Sequence, residues 1–184
     1  MIKTVKKIIS YIMVCVLFLS MCIPCEAAQT STATASDANA TTGFPQITST
    51  SAIIMDAQSG QIIYEKNSHT RQYPASITKI MTAYLAIKNG DLNSTITMSD
   101  AAVWGIDRNS SHIALDVGEE ISMSDALYAV MLMSANEAAW AIAEQVSGSL
   151  ENFVQLMNDT AQSLGCKDTH FTNANGLHDP DHYT

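Results

Sequence analysis

Apolar residues run almost unbroken from Ile8 to Ile23, vanish between Ala28 and Thr42 apart from alanine, and return after Thr48 with two different periods. Residues 51–56 and 61–66 are rich in β-branched side chains and flank Ala57-Gln58-Ser59-Gly60, which predicts a hairpin. Two strands alone are marginal in water, so this hairpin needs further strands or a helix to pack against. From Pro74 to Ile87 the apolar positions 77, 80, 81, 84 and 85 follow the i, i+3, i+4, i+7, i+8 spacing of one helix face. Pro74 suits a first helical turn, and Asn89-Gly90 suits a helix end. The only charge in this stretch before its end is Lys79. A helix so poor in charge is normally buried, and a lysine is almost never fully buried without a partner.

The later pattern is mostly helical. A short strand at Thr95-Ile96-Thr97-Met98 and a short helix from Ser99 lead to Ser122-x-x-Asp125, a capping-box start. Residues 126–133 are apolar nearly all round, and a second helical run reaches Val146 before Gly148. Phe153, Leu156, Met157, Ala161 and Leu164 mark a third amphipathic helix closed by Gly165. No repeat is visible, and the pattern predicts an α+β fold in which helices predominate.

The N-terminus reads separately. Lys3, Lys6 and Lys7 precede the apolar run, and Cys25-Glu26-Ala27 offers small residues where a signal peptidase reads, so residues 1–27 are expected to be a secretory signal peptide. The run is short for a membrane span, which weighs against an uncleaved anchor. Met21 is bulky where lipid attachment at Cys22 would need a small residue. Residues 28–47 form a Ser/Thr/Ala-rich spacer that cannot bury enough apolar surface to offset its ordering entropy. Residues 48–184 are expected to be the folded domain.

Charge and cysteine narrow the partners. The whole chain has 9 Lys+Arg against 18 Asp+Glu, and removing the signal segment leaves 6 against 17. An acidic exported domain is a poor candidate for nucleic acid or for an anionic membrane surface, so membrane contact is expected only through the signal segment or a region outside these residues. Cys166 is then the only cysteine, which excludes an internal disulfide; it reads as a small apolar residue. Four Asn-x-Ser/Thr triplets, at Asn39, Asn93, Asn109 and Asn158, are short enough to arise by chance.

Ser76 and Lys79, at i and i+3 on a helix, are neighbours on one face. Serine is a weak nucleophile that needs an adjacent base. A lysine serves when its amine is neutral, which desolvation and the positive end of a helix dipole both favour. Ser-x-x-Lys alone also fits a serine near an N-cap with a lysine reaching the surface. Ser134-Ala135-Asn136 lies between two helical runs. For Ser134 and Asn136 to enter one cleft, the tripeptide must be a turn or extended link, because i and i+2 do not face the same way on a helix. Taken alone it also fits an ordinary helix junction.

Together the two pieces carry a resemblance. Pro74-Ala75-Ser76-Ile77-Thr78-Lys79, followed by Ser134-Ala135-Asn136-Glu137-Ala138-Ala139, resembles the serine D-Ala-D-Ala carboxypeptidases, which are low-molecular-mass penicillin-binding proteins of the β-lactamase/transpeptidase-like superfamily. Residues 53–66 look like that family's opening hairpin, and Thr169-His170-Phe171-Thr172-Asn173-Ala174-Asn175-Gly176-Leu177 resembles its Thr-His-Phe-x-Asn-Pro-x-Gly-Leu stretch. The resemblance covers about residues 48–184. It implies that Ser76 is the acylated nucleophile, Lys79 its base, Ser134 a proton relay and Asn136 a holder of the substrate's peptide carbonyl. The implied reaction removes the terminal D-alanine from peptidoglycan stem peptides at the bacterial cell envelope, without metal or cofactor, and β-lactam antibiotics would acylate the same serine.

One feature departs from the family. Its third motif, Lys-Thr-Gly on a late strand, does not occur before Thr184, and that strand carries an oxyanion-hole donor and the groups that bind the substrate carboxylate. These residues therefore resemble the front part of a longer protein whose sheet has later strands. As given, they are expected to be inactive and poorly folded, with the face around Ile77, Ile80 and Tyr84 partly exposed. A serine β-lactamase would share Ser76 and Lys79 but needs a deacylating group, and Ala135 departs from the class A Ser-Asp-Asn. A non-catalytic penicillin sensor would keep the serine without turnover. His178-Asp179-Pro180-Asp181-His182 has metal-ligand residue types, but two local histidines fall short of the three or four protein ligands zinc takes.

Overall fold

The computed structural model describes residues 47–184. The signal-peptide reading, nearly all of the spacer and Asn39 lie outside these residues. Residues 50–184 form one compact unit.

The hairpin forms as predicted. Strand β1 (Ala52–Met55) pairs antiparallel with β2 (Ile62–Lys66), with an irregularity at Ile54/Met55. Asp56 closes the turn by accepting from the backbone and hydroxyl of Ser59. A second antiparallel pair joins β3 (Thr95–Thr97) to β4 (Glu120–Ser122), the latter being a strand that the sequence pattern did not predict.

The described residues form five α-helices, three of which start behind a serine cap. They are α1 (Thr78–Asn89), α2 (Asp100–Trp104), α3 (Met123–Met133), α4 (Asn136–Ser147) and α5 (Leu150–Ser163). Ser99, Ser122 and Ser149 each accept a backbone N–H from the first turn of α2, α3 and α5, which satisfies one of the donors a helix start leaves unpaired. None of the described helices is long and apolar enough to cross a membrane.

Helix α4 is the hub. Its alanines 138, 139, 141 and 143 are buried with Ile142, and their small side chains let α1, α2, α3 and α5 approach it closely. One side of the core joins Ile96, Met98, Val103, Met123 and Val130; the other joins Leu85, Phe153, Met157 and Phe171. Removing side chains of this size from water contributes about 1.5–3 kcal/mol each.

Helix α1 leaves the apolar face around Ile77, Ile80 and Tyr84 partly exposed, as expected from the sequence, and buries a second face. Leu85 is buried, but Ile77 is 68 %, Ile80 59 % and Tyr84 41 % exposed. The buried set is Thr78, Lys79, Thr82, Ala83 and Ala86, with Leu85. The polar members of that face have partners: Thr82 Oγ1 donates to Ala174 O at 2.6 Å, and Thr78 Oγ1 meets His182 Nε2 at 2.7 Å. The β1–β2 hairpin is also open, with Ile53, Met55 and Ile63 each more than half exposed. Tyr128, Met131, Leu132 and Met133 on α3 are exposed, as are Leu164 and Cys166.

Candidate active site

Ser76 does not lie on the α-helix itself. It sits in a single 3₁₀ turn, Ala75–Ile77, that leads into α1, and Ala75 before it has φ 48°. An L-residue in that left-handed region costs about 1–2 kcal/mol, so the backbone holding the serine is strained and depends on its surroundings. Gly176 supplies part of them. A Cβ built on Gly176 would fall 1.8 Å from Ala75 O, and the glycine has φ +82°, so only glycine lets residues 174–177 lie against the serine turn.

Ser134 and Asn136 reach the same place from the α3–α4 junction. Ser134 caps α3 in the left-handed conformation (φ 56°, ψ 33°), and Ala135 is extended (φ −62°, ψ 114°). The junction is therefore the non-helical link that two convergent side chains require. Ser134 Oγ donates to Ser76 Oγ at 2.9 Å.

Lys79 is the centre of the cluster and is 2 % exposed. Its Nζ lies 2.7 Å from Asn136 Oδ1, 2.6 Å from Asn175 O and 3.3 Å from Ser76 Oγ. Burial lowers its pKa to about 8, and the Glu137 carboxylate opposes that shift. A neutral amine has two N–H donors and one lone pair. Asn136 Oδ1 and Asn175 O can only accept, so they take the two donors and leave the lone pair for the hydroxyl of Ser76. The arrangement is that of a general base poised on a serine.

The surrounding shell includes residues that the sequence reading did not place in this site. Asn175 contributes a backbone carbonyl, which no side-chain pattern reveals, although it lies in the 169–177 stretch that carried the resemblance. His182 is buried. Its Nδ1 accepts from Thr172 N at 3.0 Å, so Nε2 carries the hydrogen and donates to Thr78, tying residues 172–182 to the start of α1. Burial holds this imidazole's pKa below its usual range. Glu137 is fully buried; Oε1 accepts from Ile113 N at 2.7 Å, and Oε2 has no hydrogen-bond partner among the described residues.

The five residues 178–182 do not converge on a metal position. His178 packs edge-on against Tyr73 with ring centroids 4.8 Å apart, while His182 turns inward to Thr78. Among the described residues no group of three or more His, Cys, Asp or Glu could hold a metal ion.

The family described as D-alanyl-D-alanine carboxypeptidase, peptidase S11, matches residues 36–184. The D-alanyl-D-alanine carboxypeptidase DacA of Haemophilus influenzae is 42 % identical over 148 residues, covering 76 % of this chain and 37 % of that protein. The crystal structure of penicillin-binding protein 5 from Haemophilus influenzae superposes with a TM-score of 0.72 at 38 % identity, covering 78 % of this chain and 43 % of that one. The Streptomyces K15 DD-transpeptidase gives a TM-score of 0.71 at 30 % identity over 76 % of this chain and 57 % of that one. The chain thus spans about two-fifths of the length of its Haemophilus relatives. Its fold is the α+β, penicillin-binding-protein/transpeptidase fold, and it belongs to the peptidase S11 family of D-alanyl-D-alanine carboxypeptidases.

Proposed function

We propose that the protein is a serine carboxypeptidase that removes the terminal D-alanine from peptidoglycan stem peptides through an acyl-enzyme on Ser76. The observation that carries this reading is the environment of Lys79: two obligate acceptors hold its N–H groups, and the remaining face meets Ser76 Oγ. In acylation, the Lys79 amine takes the Ser76 proton as Oγ attacks the carbonyl of the penultimate D-alanine. Ser134, bonded to Ser76 Oγ, passes a proton to the departing amine, and free D-alanine leaves. Water then attacks the Ser76 ester, and its proton returns through the same lysine, so each cycle consumes one water and releases one D-alanine. Asn136 spends one Nδ2 hydrogen on Ser110 Oγ and keeps the other for the substrate's peptide carbonyl. A β-lactam presents a strained amide to the same Oγ and acylates it.

The reaction belongs outside the cytoplasmic membrane, where the stem peptides are, and the N-terminal pattern supports export with cleavage after Ala27. N-terminal sequencing of exported protein that still began at Met1 would rule that cleavage out. For the reaction itself, full-length protein is incubated with a pentapeptide ending in D-Ala-D-Ala, and free D-alanine is measured. Release that disappears in Ser76→Ala is expected. Hydrolysis of a chromogenic cephalosporin without D-alanine release would overturn the reading in favour of a β-lactamase, and stable penicillin attachment with neither activity would favour a sensor.

A further inference from the structure

The loop of residues 107–113 is clamped to the start of α4. Asn136 N donates to Ser111 O at 3.0 Å, Ile113 N donates to Glu137 Oε1 at 2.7 Å, and Asn136 Nδ2 donates to Ser110 Oγ at 2.8 Å. Ser110 is itself committed. Its hydroxyl donates its single hydrogen to Asp107 O, and its N–H bonds to the same carbonyl at 2.8 Å. Towards Asn136, therefore, Ser110 Oγ offers only a lone pair and can only accept.

We propose that Ser110 is a positioning residue of the active site, fixing the side-chain amide of Asn136 so that Oδ1 rather than Nδ2 faces Lys79. This rests on the carboxypeptidase reading for its catalytic meaning but on the hydrogen bonds alone for its geometry. The two faces of a carboxamide are nearly equal in shape, so only its partners decide which way it points. With Oδ1 towards Lys79, the amine donates to it and keeps its lone pair for Ser76. Rotated by half a turn, Asn136 would point an N–H at the lysine, the lone pair would accept it, and the base would be occupied. The rotated amide would also set Oδ1 against Ser110 Oγ, whose only hydrogen already belongs to Asp107. Ser110 thus penalises the unproductive orientation and also leaves one Nδ2 hydrogen for substrate.

Ser110→Ala removes that penalty while deleting one oxygen from a partly exposed position. Ser110→Thr retains the hydroxyl. The test follows the Lys79 Cε resonance of full-length protein against pH for wild type and both variants, alongside the rate of Ser76 labelling by penicillin. Rotation of Asn136 withdraws an acceptor that favours the ammonium, so the Lys79 midpoint should fall in Ser110→Ala and return to the wild-type value in Ser110→Thr. Glu137 on α4, the charged group acting on Lys79, is the same in all three. Labelling by Ser110→Ala should slow by about three- to tenfold, the range set by one hydrogen bond. A midpoint that stays put overturns the proposal. So does one that rises, because a merely loosened loop admits water and relaxes the lysine towards its ordinary value. If wild-type Ser76 takes no label, the carboxypeptidase reading fails, and the Lys79 midpoint still decides the role of Ser110.

Discussion

Acylation of Ser76 should climb with pH along an acid limb centred near the pKa of Lys79, about 8, and replacing Glu137 should move that limb in a known direction. At pH 7 an amine with this pKa is neutral in about one molecule in ten, against about one in three thousand at the ordinary 10.5, so burial supplies roughly three-hundredfold more competent base. The Glu137 carboxylate works the other way by stabilising the ammonium. Glu137→Gln keeps a carbonyl oxygen for Ile113 N–H but removes the charge. With its negative neighbour gone, the ammonium is less favoured, the Lys79 pKa falls, and the acid limb shifts to lower pH. A drop of about one unit would raise the neutral fraction at pH 7 from about one-tenth to about one-half, so the gain there is at most about fivefold and fades above about pH 9. The assay is the second-order rate of labelled-penicillin attachment between about pH 5.5 and about pH 10, with Lys79→Ala as a baseline about a hundredfold or more slower. A wild-type limb near the ordinary lysine value, or a limb that stays put or rises in Glu137→Gln, would show that burial and Glu137 do not set the Lys79 pKa in these directions.

Gly176→Ala should destabilise the protein and slow labelling together, because its Cβ would meet Ala75 O at 1.8 Å and displace both the serine turn and Asn175 O. Gly118→Ala is the control: its φ is +80° but nothing lies within 4 Å, so it isolates the left-handed strain of about 1–2 kcal/mol, and equal melting temperatures for the two variants would contradict the packing argument. Residues 28–184 expressed alone should unfold broadly and label poorly, since Ile77, Ile80 and Ile53 are exposed; a sharp thermal transition with near-full labelling would show them to be self-sufficient.

Much of the site was legible because its local rules are strict. The requirement that Ser134 and Asn136 share a cleft forces a non-helical link, and Ser134 duly caps α3 with φ 56°. The i, i+3 spacing of Ser76 and Lys79 survives the change from α-helix to 3₁₀ turn because both geometries keep those positions adjacent. The apolar face of α1 and its partial exposure were legible, but the burial of Thr78 and Thr82 on a second face was not. Hydrophobic period identifies a face but not what covers it, and Thr78 and Thr82 are buried only because His182 and Ala174 O, about a hundred residues away, satisfy their hydroxyls. Ser110 had no periodic signal at all, since a loop residue's role depends on where its one hydrogen is already spent.

That Ser76 is the nucleophile is tested most plainly by mass-spectrometric mapping of the adduct formed by full-length protein with labelled penicillin. A single penicilloyl group is expected on the peptide carrying Ser76, lost in Ser76→Ala and strongly slowed in Lys79→Ala. An adduct on another residue, or one that persists unchanged in Ser76→Ala, would contradict it.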